Sequence, residues 1–295
     1  MRIATRGSEL ALWQANWVRE AIRRRQDLAV ELLIVKTQGD RVTDRTLSTL
    51  EGKGFFTKEI EDALLARRAE VAVHSYKDLP TEKVPGLMVA AVPPRAPVND
   101  LLLIRGDRTD PSQQPWPIAA GARVGTGAAR RTAQLRHRRG DLEVVPIRGN
   151  VHTRVGKVRD GTCDAVVLAK AGLERLGLDL SDLVVVDLLE SGFLPAPAQG
   201  ALAVQCREDD PETIAVLRTL HDPDTAACVA AERALLTLFE GGCTLPLGCT
   251  ARMSGGKIEL RANWLQTEGD MRFCTVTSDD AESAARFAYD RLHQP

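Results

Sequence analysis

The chain has 295 residues, of which 44% are hydrophobic and 27% are charged, and its formal net charge at pH 7 is −1. These values are typical of a globular protein with two or three domains, and they argue against a whole-molecule attraction to nucleic acid or to a membrane surface. No stretch approaches the roughly 18 uninterrupted apolar residues of a membrane span, and no long apolar run follows Met1, so we expect neither a membrane anchor nor a signal peptide.

The six cysteines are spread along the chain without C-x-x-C spacing. This pattern argues against a zinc site and against a disulfide framework, and it is typical of proteins in a reducing compartment. We therefore expect a cytoplasmic protein that holds no metal. The cysteines are Cys163, Cys206, Cys228, Cys243, Cys249 and Cys274.

The first predicted elements are a strand at residues 2–5 and a helix at residues 9–25. Ser8 stands in the turn between them and is a candidate N-cap, so the first amides of the helix would face an anion. Arg6 lies in the same turn, where it is either a ligand for that anion or a solvated surface charge.

The next polar candidates follow a second buried strand of the same sheet. The pattern predicts a strand at 30–36, a polar and glycine-bearing mobile loop at 37–54, a helix from Thr57 and a buried strand at 70–74. Alternating strands and helices predict a parallel sheet, and ligands bind at the carboxyl ends of such strands. Asp78 falls at such an end, as Ser8 does. With Lys77 it could alternatively form only a surface ion pair, which contributes little.

Proline-rich residues 93–97 indicate a crossing into a second α/β unit. Its predicted strands lie at 101–105, 123–125, 142–146 and 164–169, with helices between the later ones. From residue 123 to residue 159 there are ten Lys or Arg and two Asp or Glu, a local excess of eight positive charges. Because the whole chain carries −1, the remainder carries −9.

Several of these arginines stand where an anion would bind. Arg130 and Arg131 open a predicted helix, Arg148 follows a predicted strand, and Arg154 lies six residues further on. A guanidinium binds a carboxylate or a phosphate through two parallel hydrogen bonds. A merely basic face or a nucleic-acid surface are the alternatives. Aromatic content is only 4%, which leaves few stacking platforms for bases, so a pocket for a small polyanion is the better interpretation.

Residues 194–205 indicate a second crossing and a returning strand, which together predict two domains joined by a hinge with a cleft between them. We expect domain 1 at residues 1–93 and 194–210, domain 2 at 98–191, and a small α+β domain 3 at 213–295. Domain 3 is predicted to hold a helix at 225–238, three antiparallel strands at 249–253, 258–265 and 272–277, and a closing helix at 281–293.

Cys243 follows two glycines and precedes Pro246, so the chain turns sharply there and presents the sulfur on a loop. On local chemistry alone, a buried small residue in a turn is the simpler interpretation, since free cysteine packs as a small hydrophobe.

Taken together, seven motifs resemble the porphobilinogen deaminase (hydroxymethylbilane synthase) family in order and spacing over nearly the whole chain. Any one of them alone is weak evidence, but the combination is specific. The motifs are Ile3-Ala4-Thr5-Arg6-Gly7-Ser8, Gly52-Lys53-Gly54-Phe55-Phe56-Thr57-Lys58-Glu59, His74-Ser75-Tyr76-Lys77-Asp78, Arg130-Arg131, Arg148-Gly149-Asn150-Val151-His152-Thr153-Arg154, Gln199-Gly200-Ala201 and Glu240-Gly241-Gly242-Cys243.

The resemblance implies two α/β domains similar to periplasmic binding proteins, with a hinged cleft, and a small α+β C-terminal domain. It also implies a transferase of tetrapyrrole (haem and chlorophyll) biosynthesis. Such enzymes join four porphobilinogen molecules head to tail, release ammonia at each step and liberate hydroxymethylbilane by hydrolysis. The primer is one dipyrromethane cofactor per chain, bound through a thioether. The implied partner is uroporphyrinogen-III synthase, which receives the product from a monomeric enzyme.

The resemblance also implies roles for individual residues. Asp78 is the catalytic residue that faces the pyrrole nitrogens. The implied cofactor-binding residues are Cys243 (the thioether), Lys77, Asp78, Arg130, Arg131, Arg148, Thr126 and Ser75. The implied substrate-binding residues are Arg6, Ser8, Gln14, Arg148, Arg154, Gln199 and Lys53.

The chain departs from the family pattern at four places without changing Asp78 or Cys243. Gly127-Ala128 replace two serines, Tyr76 replaces a methionine, Pro197-Ala198 replace a valine–glycine type pair, and segment 95–100 is expected to lack the family's usual acidic and arginine residues.

Two other classes of protein share a two-lobed anion cleft. A solute-binding protein would need a secretion signal in most settings and would leave Cys243 unexplained. A regulator's effector-binding domain would need a DNA-binding helix-turn-helix, and we expect none before residue 1. Since fold does not fix function, the site has to decide between them.

Overall fold

The computed structural model describes residues 1–37, 57–240, 245–267 and 269–294. Its strands form two five-stranded sheets and one three-stranded sheet, which confirms the mixed α/β class with an α+β C-terminal part. The predicted loop at 37–54 lies almost entirely outside the described residues, as do Lys53 and Cys243.

The elements are numbered in chain order. The strands are β1 (Arg2–Thr5), β2 (Glu31–Ile34), β3 (Val71–Ser75), β4 (Leu87–Ala91), β5 (Asp100–Arg105), β6 (Arg123–Gly125), β7 (Glu143–Val145), β8 (Ala165–Ala169), β9 (Leu183–Asp187), β10 (Leu202–Arg207), β11 (Leu247–Ser254), β12 (Lys257–Thr267) and β13 (Asp270–Ser278). The helices are α1 (Glu9–Arg23), α2 (Lys58–Leu65), α3 (Ala129–Arg138), α4 (Val151–Arg159), α5 (Lys170–Leu176), α6 (Pro211–Arg218), α7 (Pro223–Leu238) and α8 (Ala281–His293).

The first sheet has the order β2-β1-β3-β10-β4. Strand β1 is parallel to both β2 and β3, whereas β10 is antiparallel to β3 and β4. Helix α1 packs on this sheet because Ala15, Val18 and Ile22 form one apolar face, all fully buried against residues such as Ile3 and Val204. We call this sheet and the helices packed on it the first lobe.

The second sheet repeats the same arrangement with the order β7-β6-β8-β5-β9. Here β6 is parallel to β7 and β8, and β5 is the antiparallel strand. In each sheet the antiparallel strand directly follows a crossing between the lobes. Strand β5 follows the first crossing, and β10 follows the second. We call this sheet with helices α3, α4 and α5 the second lobe.

The two crossings pack directly against each other. Gly200, at φ +85°, has no room for a side chain, since a Cβ there would lie 2.5 Å from the carbonyl oxygen of Ala96 and 2.9 Å from that of Pro97. Ala198 also has a positive φ of 60°, a conformation that costs an alanine more than the glycine the resemblance leads us to expect there. Close backbone contact therefore fixes where the chain leaves and re-enters the first lobe.

The C-terminal part consists of the three-stranded antiparallel sheet with α7 and α8 packed on one face. Helix α7 also joins the rest of the molecule through Glu232, which is fully buried. Its carboxylate accepts hydrogen bonds from Arg95 at 2.7 and 2.8 Å, from the Ala198 amide at 2.6 Å and from the Ala251 amide at 2.7 Å. One carboxylate thus ties both crossings to the C-terminal sheet.

Candidate active site

The topology brings the predicted site segments to two facing sheet edges. Strands β1 and β3 run parallel, so the turn after Thr5 and the turn after Ser75 share one edge. Strand β10 pairs antiparallel with β3, which brings Gly200 and Ala201 to the same edge. In the second sheet, β6, β7 and β8 run parallel, and their carboxyl ends carry Thr126, Arg148 and helix α5.

A cavity of about 110 Å³ lies between these edges. It takes Ser75 and Lys77 from the first lobe, Arg154 and Arg175 from the second, and Gly200 from the second crossing. The described residues that line it are Leu10, Ser75, Lys77, Arg131, Val151, Arg154, Leu168, Ala169, Ala171, Gly172, Arg175, Gly200 and Ala201. Four of these side chains carry a positive charge and none carries a negative one, so the cavity is built for an anion.

Among the described residues, three of the four cavity cations have no carboxylate in contact. Within the described part of the chain, no carboxylate lies within ion-pair distance of Lys77, Arg154 or Arg175. Burial lowers the pKa of Lys77, although neighbouring Asp78 opposes that shift. Burial also lowers the pKa of Arg154, with Arg131 adding to the effect, and burial lowers the pKa of Arg175 to about 10. Because burial lowers the pKa of these cations and no carboxylate among the described residues pairs with them, a bound carboxylate would stabilise their charged forms.

The arginine pair that opens α3 has a different environment. Asp100, fully buried, accepts hydrogen bonds from Arg130 at 2.8 Å and from Arg131 at 2.7 Å, and from the Gln199 amide at 2.9 Å. Burial alone would raise the pKa of Asp100, but the two guanidinium groups outweigh it and hold that pKa far below its usual range.

Of that pair, only Arg131 reaches the cavity. Its buried Nε atom has no hydrogen-bond partner in the part of the chain that the structure describes, which leaves it a donor for a ligand. Arg130 instead donates hydrogen bonds to Asp100 and to the Leu194 carbonyl, the latter at 2.7 Å. Gln199 likewise binds the crossing, through Asp100 and the Val98 carbonyl at 2.7 Å.

Lys77 and Asp78 lie on the short 3-10 turn Tyr76–Asp78 that ends β3. Arg233, from helix α7, holds this turn by donating to the carbonyls of Tyr76 at 3.3 Å, Leu79 at 2.9 Å and Pro80 at 2.6 Å. Its guanidinium also stacks 4.4 Å from the centre of the Tyr76 ring. Asp78 itself is exposed beside the cavity rather than part of its wall.

Several of the remaining predicted residues make hydrogen bonds within the protein. Ser8 caps α1 by accepting from the Ala11 amide at 3.4 Å, and Gln14 is buried and donates to Ser75 Oγ at 2.7 Å. Thr126 is buried and accepts from the Ala128 amide at 3.2 Å. Arg6 and Arg148 are half-buried in the turns after β1 and β7.

The sequence reasoning missed Arg175, Asp100 and Arg233. Arg175 lies in a seven-residue helix that the periodicity did not reveal, and nothing in the sequence links Asp100 to an arginine pair thirty residues away. The statement that segment 95–100 lacks its acidic and arginine residues was wrong, because Arg95 and Asp100 make the two buried ion-pair clusters described above.

No helix in the described ranges is both long and apolar enough to cross a membrane. The same ranges contain no group of three or more His, Cys, Asp or Glu side chains arranged to hold a metal ion.

Known proteins similar to this chain show which family it belongs to. The chain matches the family described as porphobilinogen deaminase, dipyromethane cofactor binding domain, over residues 1–215, and the porphobilinogen deaminase C-terminal domain over residues 226–288. A porphobilinogen deaminase of Trichlorobacter lovleyi is 47% identical over 88% of this chain and 81% of that protein. One of Syntrophobacter fumaroxidans is 41% identical over 98% of this chain and 92% of its own length.

Among solved structures, the methionine-binding protein MetQ covers 82% of this chain and 95% of its own with a TM-score of 0.45 and 10% identity, too low to support an inference. The two domain matches and the identities of the relatives are sufficient without it: the chain belongs to the porphobilinogen deaminase family.

Proposed function

We propose that this protein joins four porphobilinogen molecules head to tail onto a covalently bound dipyrromethane, releases ammonia at each addition and hydrolyses off hydroxymethylbilane. The observation that carries the proposal is the cleft cavity: among the described residues its charged lining is cationic, and three of its cations have no carboxylate within ion-pair distance. A pyrrole that carries an acetate and a propionate presents two carboxylates to such a lining.

The cavity cations bind the carboxylates of the pyrrole. Arg154 and Arg175 from the second lobe and Lys77 from the first lobe approach the cavity from different sides, so they can hold the carboxylates of one pyrrole in a fixed orientation. Arg131 adds its unpartnered Nε donor. Asp100 keeps that guanidinium in place, since it holds one end of the fork.

The donor set also fits the family's cofactor. Lys77, Arg131, Ser75 and Arg154 would hold the acidic side arms of a dipyrromethane, and Cys243 would carry its thioether. When bound, the dipyrromethane supplies the free pyrrole carbon to which the first substrate is joined. We propose that Arg130 and Gln199 support this set through Asp100 and do not themselves bind the ligand.

Asp78 is the proposed catalytic residue. As ammonia leaves porphobilinogen, positive charge develops on the substrate's pyrrole ring and reaches the ring N–H. A fixed carboxylate beside that N–H stabilises the charge in the transition state and can accept a proton. The carbonyl contacts of Arg233 hold the turn that carries Asp78, so the carboxylate is positioned before the substrate arrives.

The same proposal extends to the setting of the reaction. We expect a monomer in the cytoplasm whose product passes to uroporphyrinogen-III synthase. We also propose that residues 1–93 with 194–210, residues 98–191, and residues 213–295 move as three domains about the two crossings. The direct packing of Gly200 on Ala96 supports a shared pivot there.

Intact mass of the purified protein tests the proposal. The parent should be heavier than its 32.1 kDa sequence by one dipyrromethane, and added porphobilinogen should produce a series of further mass increments with release of ammonia. An anion-binding protein without catalysis would show the sequence mass and no ammonia, which would contradict the proposal.

Two cysteine variants locate the attachment. Cys243→Ala should lose the added mass, whereas Cys249→Ala should keep it, because Cys249 is fully buried and burial raises its thiol pKa well above the usual value. The reverse pattern would show that the thioether is on Cys249.

A further inference from the structure

Arg175 is a cation of the second lobe whose guanidinium is held from outside that lobe. It lies 5.5 Å from the centre of the Trp13 ring, which belongs to helix α1 of the first lobe. It also donates to the Gly200 carbonyl of the second crossing at 2.8 Å. Its Nε atom is buried and has no hydrogen-bond partner among the described residues, and the side chain lines the cleft cavity. Arg175 therefore keeps one donor for a ligand while its orientation is set across the cleft.

The helices that bring these two side chains together approach closely. Gly172 on α5 has no side chain, and a Cβ at that position would lie 3.8 Å from a methyl carbon of Leu10 on α1. His152, on α4, adds an interlobe contact of 2.9 Å to Glu9. The first two turns of α1 thus form one side of the junction between the lobes, and Trp13 lies in that stretch.

Trp17 shows that the position of Trp13 is specific. Both indoles belong to α1 and are four residues apart, and they are 36% and 37% exposed. Of these two indoles, that of Trp13 alone faces a guanidinium among the described residues. Exposure of an apolar ring therefore does not distinguish the two, whereas the contact with Arg175 does.

We propose that Trp13 is a positioning residue for Arg175: its ring, from the first lobe, orients a cavity cation of the second lobe toward the carboxylate of the ligand. The ring face attracts the guanidinium and limits its rotamers, and tryptophan does this better than tyrosine or phenylalanine. Because the contact joins the lobes, the cation is fully oriented when the lobes are closed. This inference rests on the proposed function, which supplies porphobilinogen as the carboxylate ligand.

Steady-state kinetics of the holoenzyme with porphobilinogen tests the role. Trp13→Leu should raise KM by about 3- to 20-fold and leave kcat within about twofold, because a binding cation loses orientation while the Asp78 turn is untouched. Trp13→Phe should restore part of the loss. Trp17→Leu, the matched control, should leave both parameters within about twofold.

A double-mutant cycle separates positioning from general packing. In an Arg175→Leu background, Trp13→Leu should have no further effect on KM, since the cation that the ring orients is gone. Equal KM for Trp13→Leu and Trp17→Leu, or additive effects in the cycle, would overturn the proposal.

A readout without turnover keeps this inference distinct from the proposed function. Arg175→Leu should change the tryptophan emission of the parent and of Trp17→Phe, but not that of Trp13→Phe. If the parent fails to consume porphobilinogen while this fluorescence pattern holds, the proposed function is wrong and the interlobe contact stands. If Arg175→Leu leaves the emission of all three proteins unchanged, the contact itself is absent.

Discussion

At the scale of single residues, the cleft separates cations that are already paired from cations that are not. Arg130 and Arg131 neutralise Asp100, whereas Lys77 and Arg175 have no carboxylate in contact among the residues described. The distinction matters because a ligand carboxylate meets, on Lys77 and Arg175, charges that no carboxylate among the described residues already neutralises. We therefore propose that Lys77 and Arg175 supply anion affinity, that Arg130 supplies alignment, and that Arg131, which also lines the cavity, supplies both.

Lys77 predicts a pH dependence of substrate binding. Burial lowers its pKa, so its ammonium loses the proton at a lower pH than an ordinary lysine does, and binding of a carboxylate weakens as pH rises through that value. We expect kcat/KM for porphobilinogen to fall on the alkaline side in the parent. Lys77→Arg should move that fall to higher pH, because a guanidinium stays charged.

The control for this profile is Lys58→Arg at the exposed start of α2, which should reproduce the parent. Superimposable alkaline limbs for the parent and Lys77→Arg would rule out Lys77 as the group that titrates.

At the scale of elements, the sequence was sufficient where a periodic pattern or a turn marks the element and insufficient elsewhere. Helix α1 and the three C-terminal strands were predicted almost to their observed ends, because 3.6-residue and two-residue periodicity persist over many residues. Strands β4 and β9 were not predicted, because their continuous apolar runs show no two-residue alternation, and α5 was not predicted because seven residues span only about two helical turns. Missing α5 meant missing Arg175.

The position of the turn after β3 could be predicted from the local sequence, but the residue that holds the turn could not. A strand end predicts that Lys77 and Asp78 lie at the carboxyl edge of the first sheet, and the structure places them there. What holds the turn is Arg233, more than 150 residues later in sequence, through three carbonyl oxygens. Pairings at such separation depend on the packing of α7, and no local pattern encodes them.

At the scale of the whole molecule, one buried ion pair joins the parts that carry the site. Arg95 is on the first crossing and Glu232 is on α7, the helix that leads toward Cys243, and their side chains are 11% and 0% exposed. The same carboxylate also accepts from the Ala198 and Ala251 amides. The residue after Glu232 on α7 is Arg233. The Arg95–Glu232 ion pair, which we call the joint, and the Asp78 turn are therefore held by adjacent residues of one helix.

Removing one partner of this joint should destabilise the whole protein. Arg95→Leu leaves the Glu232 carboxylate buried without its charged partner, so we expect the free energy of unfolding to drop by about 3–5 kcal/mol. The matched control is Arg252→Leu, which breaks the exposed pair with Glu259, where Arg252 is 71% exposed, and should cost less than about 1 kcal/mol. Denaturant unfolding measures both, and equal losses would contradict the role of the joint.

We propose that the Asp78 carboxylate promotes the release of ammonia while the cavity cations hold the carboxylates of the growing pyrrole chain. The most direct test is ammonia release from porphobilinogen by Asp78→Asn, a change that keeps the size of the side chain but removes the charge that stabilises a cationic pyrrole. Intact mass should show the cofactor in place, and the exposed Asp62→Asn on α2 should match the parent. We predict a loss of turnover of about 10²–10⁴-fold for Asp78→Asn; turnover near the parent rate would contradict the account.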